Sequence, residues 1–169
     1  SVPVLGIGHG SLASTTRAPA LLFVPKPAAL TFEGACTLPV TWSTVHVVLG
    51  QSLQCRRQRS VLHAATGGVG LAAIEYVHWL GGDVLATAGR PEKHRLLRTL
   101  GIGPLCSSRD GSAFARAAAC LLGGARIHLV LNSLSSDFPS ASVALLGEAG
   151  RFEEIGKRGI WSVERARVS

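Results

Sequence analysis

The feature that most constrains this chain is the stretch Ser60-Val61-Leu62-His63-Ala64-Ala65-Thr66-Gly67-Gly68-Val69-Gly70, followed directly by Leu71-Ala72-Ala73-Ile74-Glu75-Tyr76-Val77. An apolar run of strand length meets a glycine-rich turn, and the turn opens a pattern with helical period. Gly67 lets a backbone approach an anion closely, and Gly70 lets a helix pack tightly on the strand before it. Ala65 stands where the usual fingerprint has its first glycine. A strand–turn–helix junction of this kind presents free backbone amides to a dinucleotide pyrophosphate.

The pattern around the junction sets the fold class. Val69, Ala72, Ala73, Tyr76, Val77 and Leu80 fall on one helical face, and Gly81-Gly82 closes that helix. Further strands are expected at 83–88, near 104–107, at 127–131 and at 151–155. Helices are expected at 91–100, 112–122 and 140–146 between them. Strands separated by helices imply an α/β fold with a doubly wound parallel sheet. Before it, Val4 to Gly8, Leu12 to Thr15 and Leu21 to Val24 read as short extended segments, with a turn at Pro25-Lys26-Pro27. Thr31 caps a short helix that ends near Pro39, and a second helix runs from Trp42 to Leu49.

Composition narrows the class. The 169 residues are 47% hydrophobic and 16% charged, enough for one domain with a sizeable core. The sequence has no apolar run of the ~18 residues a membrane helix needs, so no membrane partner is expected. The N-terminus lacks the pattern of a signal peptide. The chain contains no methionine and opens inside an apolar pattern, which reads as a fragment. Cys36, Cys55, Cys106 and Cys120 are irregularly spaced, a pattern of reduced cytosolic thiols rather than a zinc site, and the expected location is cytoplasmic. The cations behind the net charge of +7 are scattered apart from Arg56-Arg57-Gln58-Arg59 and the stretch from Arg90 to Arg98, and few aromatic residues are available for base stacking, so no nucleic-acid partner is expected.

The end of the second strand of the α/β unit chooses between cofactors. NAD sites carry an acid about 20 residues past the turn. Here the strand runs into Thr87-Ala88-Gly89-Arg90-Pro91-Glu92-Lys93. Arg90 and Lys93 would attract a 2′-phosphate, which favours NADPH over NADH. The alternative is that both are solvated residues of a helix start. His63 reads as a satisfied core histidine rather than a catalytic one. Asn132-Ser133-Leu134 ends a strand at the carboxyl edge, where it either contacts the nicotinamide half or serves as a cap.

Together these residues resemble the enoyl reductase domains of modular polyketide synthases and animal-type fatty acid synthases, zinc-free members of the medium-chain dehydrogenase/reductase superfamily. The matching pieces are Pro25-Lys26-Pro27, Phe32 to Val40, Val61 to Gly70, Ser107-Ser108-Arg109-Asp110, Val130 to Leu134 and Gly150 to Lys157. They occur in family order from about residue 4 to 162. The resemblance implies a Rossmann-like cofactor domain over 31–169, lacking its last strand, after a remnant of a GroES-like β substrate domain over 1–30. It implies NADPH-dependent reduction of the α,β double bond of an enoyl thioester on an acyl carrier protein, no bound metal and other synthase domains as neighbours. It is compatible with a homodimer. The family's cofactor turn maps onto Ala65, Gly67, Gly68, Val69 and Gly70. Its 2′-phosphate region maps onto Arg90 and Lys93, its Ser-Arg segment onto Ser108 and Arg109, and a threonine near the nicotinamide onto Thr44. Asn132 and Ser133 complete the cofactor set. A lysine and an aspartate discussed as proton donors match Lys93 and Asp110; of the two roles open to Lys93, the phosphate role is favoured. Tyr76, the single tyrosine, lies on the first helix and does not match the family's substrate-domain tyrosine. The alternatives are an inactive truncated module that serves as scaffold or cofactor-binding piece, and a quinone reductase-like oxidoreductase.

Overall fold

The computed structural model describes residues 1–10, 13–52, 57–159, 161–162 and 164–165. Five parallel strands form the main sheet: β3 (Arg59–Leu62), β4 (Asp83–Ala88), β5 (Leu105–Ser107), β6 (Ile127–Asn132) and β7 (Leu146–Glu154). Their order across the sheet is β5-β4-β3-β6-β7. The chain winds outward from β3 to one edge and then returns to wind toward the other. The strand order therefore reverses beside β3, which is where ligands bind in open α/β sheets. The doubly wound, Rossmann-like α/β sheet read from the sequence is the fold of the protein.

Helices cover both faces. One apolar cluster joins Val45 and Leu49 of α2 (Leu38–Gly50), Ala73 and Val77 of α3 (Gly68–Trp79) and Leu97 of α4 (Pro91–Thr99) to Leu62, Ala86 and Leu131 of the sheet. The opposite cluster gathers Phe114 and Ala118 of α5 (Gly111–Leu122) and Phe138 of α6 (Phe138–Val143) on Val61, Leu85 and Val130. The strand residues alternate between the two faces, as a sheet buried on both sides requires.

A separate two-stranded antiparallel sheet precedes this unit, made of β1 (Val4–Gly6) and β2 (Phe23–Pro25). It meets α1 (Phe32–Cys36) through Lys26, whose Nζ lies 5.1 Å from the centre of the Phe32 ring and donates to the Leu30 carbonyl. Thr31 caps α1, its side chain accepting from the Gly34 N–H at 3.1 Å.

Four expectations are corrected. Residues 13 and 14 bend and Thr15 is irregular, so no strand forms there; Leu12, like Gln54 to Arg56 of the loop before β3, lies outside the described residues. Leu21 and Leu22 belong to a turn of 3-10 helix, so β2 starts only at Phe23. Helix α2 begins at Leu38, not Trp42, because Pro39 sits in its first turn, where the missing N–H costs nothing. Helix α6 ends at Val143 and β7 starts at Leu146, inside the expected helix. Pro139 starts α6 early. The register beside β6 then jumps from Ile127↔Leu146 to Leu129↔Arg151, a bulge carrying Ala149 at φ 60° and two glycines. No helix of the described residues is long and apolar enough to cross a membrane.

Candidate functional site

The glycine turn lies at the carboxyl end of β3, the central strand. Gly67 is extended (φ −75°, ψ 166°) and precedes α3 with no side chain capping the helix. The amides of Gly68, Val69 and Gly70 form the first turn, where no helical carbonyl precedes them, so they are free to meet an anion. A side chain on Gly70 would begin 2.6 Å from backbone atoms of Ala65, which cannot yield. A side chain on Gly67 would begin 3.3 Å from the Ala64 carbonyl oxygen. Close approach therefore demands glycine at 70, while a side chain at 67 would meet a tight contact. Ala65 is fully buried, and its N–H donates to the Thr87 carbonyl at 3.0 Å, stitching the turn to β4.

The carboxyl ends of β4 and β5 hold a cluster of cations. Arg90 precedes α4 as its N-cap residue without a capping side chain. With Gly89, Pro91, His94, Arg95, Arg98 and Ser107 it lines an open hollow of about 410 Å³. His94 hydrogen-bonds the Ala88 carbonyl through Nε2 at 2.8 Å. The Arg109 Nε donates to the Gly89 carbonyl at 3.2 Å, and Ser108 Oγ stands 3.1 Å from where a Gly89 side chain would begin. Ser108 and Arg109 thus both lie against Gly89, where an added side chain would displace them. Lys93 is exposed in the first turn of α4 and does not line the hollow. Arg95 and Arg98 do, although the sequence marks them only as part of a basic stretch. Their spacing with His94 (i, i+1, i+4) places them on neighbouring parts of the helix surface and was the available signal.

Asp110 has a different setting from a proton donor. It is the N-cap of α5: its carboxylate accepts from the Ala113 N–H at 2.8 Å and from Ser112 Oγ at 2.7 Å. The Ala113 backbone bond, then the Ser112 hydroxyl, hold its pKa below the usual carboxylate range. An acid stabilised in its ionised form resists carrying a proton. Lys93 and Asp110 both follow strands on the β4–β5 side of the switch point, away from Ser133 at the end of β6.

The β6–β7 side is built as a clasp. Asn132, fully buried, donates through Nδ2 to Glu154 Oε2 at 2.7 Å and to the Leu134 carbonyl at 2.7 Å, and its Oδ1 accepts from the Leu134 N–H at 3.2 Å. Glu154 Oε1 accepts from the Gly156 N–H at 2.6 Å. The Asn132 side chain is fully engaged in tying the loop 133–134 to the end of β7. Ser52 donates its hydroxyl to Glu153 at 2.6 Å, adding α2's exit to the same edge. Thr44 lies on α2, where its hydroxyl donates to the Val40 carbonyl at 2.8 Å. Among the described residues, no group of three or more His, Cys, Asp or Glu side chains could hold a metal ion.

The chain fits a dinucleotide on two observations: uncapped amides at a turn whose Gly70 is required by contact, and a cation-lined hollow one strand away. Comparisons with known proteins agree. Residues 68–163 match the family model of zinc-binding dehydrogenases. The chain is 39% identical over 165 residues to a spectinabilin polyketide synthase system protein, NorB, of Streptomyces orinoci, covering 96% of this chain and 7% of that protein. The structure of CurK enoyl reductase superposes with a TM-score of 0.84 at 36% identity, covering 89% of this chain and 45% of that one. The mycobacterial protein Rv1454c, solved in complex with NADPH, superposes with a TM-score of 0.84 at 26% identity, covering 95% of this chain and 51% of that one. The chain therefore spans under a tenth of the synthase it matches and about half of each of these two structures. By its matched residues and its fold, the chain belongs to the zinc-binding dehydrogenase family, in the branch of polyketide synthase enoyl reductase domains.

Proposed function

We propose that this chain is the NADPH-binding portion of an enoyl reductase that works on enoyl thioesters carried by an acyl carrier protein, within a larger synthase. The observation that carries the reading is the pairing, on one sheet edge, of the uncapped α3 amides with the Arg90–Arg95–Arg98–Arg109 group. The amides of Gly68, Val69 and Gly70 take the pyrophosphate. Arg90, Ser108 and Arg109, with Arg95 and Arg98 behind them, take the 2′-phosphate, a dianion that bidentate guanidinium groups match well. Ser133 and the backbone held by the Asn132–Glu154 clasp border the nicotinamide end, and the family resemblance adds Thr44 of α2 to it. NADPH, when bound, supplies the hydride that goes to the β carbon of the enoyl group as a proton goes to the α carbon. Asp110 serves as a helix cap rather than as the source of that proton, and Lys93 adds positive charge beside the phosphate hollow.

Residues 1–30 are read as the end of the substrate domain and residues 31–169 as the cofactor domain. Support comes from the exposed apolar side chains Val4, Leu21 and Val24 around the two-stranded sheet, which is where further chain would pack. The acyl carrier protein and any second copy of the chain belong to this proposal as partners of the whole synthase.

Titration of the purified chain with NADPH and NADH, followed by calorimetry, tests the reading. NADPH is expected to bind more tightly, and Arg90→Ala with Arg109→Ala is expected to erase at least about tenfold of the difference, since one charge-assisted bond contributes ~1.5–3 kcal/mol. Equal binding of both cofactors, or of neither, would overturn it. In the full-length synthase, turnover of a quinone but not of a crotonyl thioester would replace it with a quinone reductase.

A further inference from the structure

One residue of the turn is held in a conformation that its side chain resists. Ala64 has φ 49°, in the left-handed region that favours glycine. It contributes two bonds that shape the turn: its carbonyl accepts from the Gly67 N–H at 2.9 Å, and its N–H donates to Thr87 Oγ1 at 3.1 Å. Strain of this kind persists only where the surroundings over-determine it. The surroundings here are specific. Thr87 is fully buried in β4, and its Oγ1 lies 3.3 Å from His63 Nδ1. His63 Nε2 lies 2.7 Å from Ser142 Oγ in α6. The His63 ring is wedged edge-on against Phe114 and Phe138, with ring centres 5.0 and 5.5 Å away.

The Ala64 N–H donates to the Thr87 hydroxyl oxygen. Either neutral tautomer of His63 completes the chain of bonds, because the Thr87 and Ser142 hydroxyls can each donate or accept. We infer that Thr87, His63 and Ser142 form a positioning relay that holds Ala64 left-handed and so aims the α3 amides at the cofactor's pyrophosphate. The relay runs through the sheet: His63 and Ser142 bring α6, on the far face, into the geometry of a turn that opens α3 on the near face. His63 is a positioning residue and touches no reacting atom. This inference rests on the proposed binding of NADPH at the turn.

The test separates the relay from that proposal and from simple loss of packing. His63→Phe fills the aromatic wedge but breaks the relay, and Thr87→Val removes only the hydroxyl. Each is expected to weaken NADPH binding about tenfold, the effect of losing one buried hydrogen bond that fixes the site. Adding Ala64→Gly to either variant is expected to restore most of the affinity, because glycine adopts the left-handed conformation without a holder. Should His63→Phe fail to fold, Ser142→Ala, which removes only the outermost bond, is measured instead, with a loss of about threefold expected. Affinity equal to the parent chain in these variants, or a loss that Ala64→Gly does not repair, would overturn the relay. Amide hydrogen exchange at Ala64, measured without cofactor, gives a second readout, with faster exchange expected in each relay variant. If the parent chain binds no NADPH, the functional proposal fails while unchanged or faster Ala64 exchange still decides the relay.

Discussion

The two halves of the sheet's carboxyl edge use polar residues in opposite ways. On the β4–β5 side, Arg90, Arg95 and Arg98 line an open hollow, and Arg109 donates to the Gly89 carbonyl. On the β6–β7 side, Asn132, Glu154, Gly156 and Leu134 satisfy one another. The first half keeps charge available for a ligand. The second spends its polar groups on shape, fixing a loop whose main chain is what it can offer. The difference shows why a residue's type at a strand end is a poor guide to its role: an asparagine at the edge can be scaffold as readily as contact.

The glycine turn sits between the halves, and disturbing it should break both. Gly70→Ala is expected to have the largest effect, about 3 kcal/mol of lost stability, because the new methyl meets fixed backbone rather than a movable side chain. Denaturant melts of the chain without cofactor would read this loss.

Acid should loosen the joint between the sheet and α6. Burial pushes the His63 pKa down from 6.5 to about 4, so the unfolded chain binds the proton more readily than the folded one. Its contribution is complete above pH 6.5 and is lost as the pH falls from 6.5 toward 4, by about 3 kcal/mol. Urea titrations across that window check the sign, and His63→Phe should flatten the dependence.

Asn132→Ala sharpens the contrast between the halves. It leaves Glu154 one donor short and the Leu134 backbone without its partner, at a cost of about 2 kcal/mol. Melting temperature should drop while the preference of NADPH over NADH is unchanged. Arg109→Ala should do the reverse, lowering that preference with little change in melting. A clasp variant that altered cofactor preference would show the halves to be coupled.

Much of the frame was legible because its signals are local. Asp83 to Ala88 reads as a strand from its apolar content, and Val69 to Leu80 as a helix from its period. The misplaced boundaries arose where one residue admits two local roles. Pro39 can end a helix or begin one, and only packing of Val45 and Leu49 under α3 decided for the second. The start of β7 was hidden because its bulge, from Gly147 to Gly150, breaks the alternation that marks a strand. In the site, Arg90 was legible as a cation after a strand, whereas Arg109 stood out only through the family resemblance. Arg95 and Arg98 were not singled out, because a charged helix face looks the same whether it meets solvent or a ligand.

The sequence by itself determined the strand–turn–helix junction, the alternation that winds the sheet and the absence of an acid at the end of β4, since each depends on neighbours a few residues apart. Only the tertiary structure decided which polar groups are free and which are engaged. Asn132 meets Glu154 across 22 residues, and His63 meets Ser142 across 79, and hydrogen bonds between such distant positions exist only once the sheet has brought them within reach.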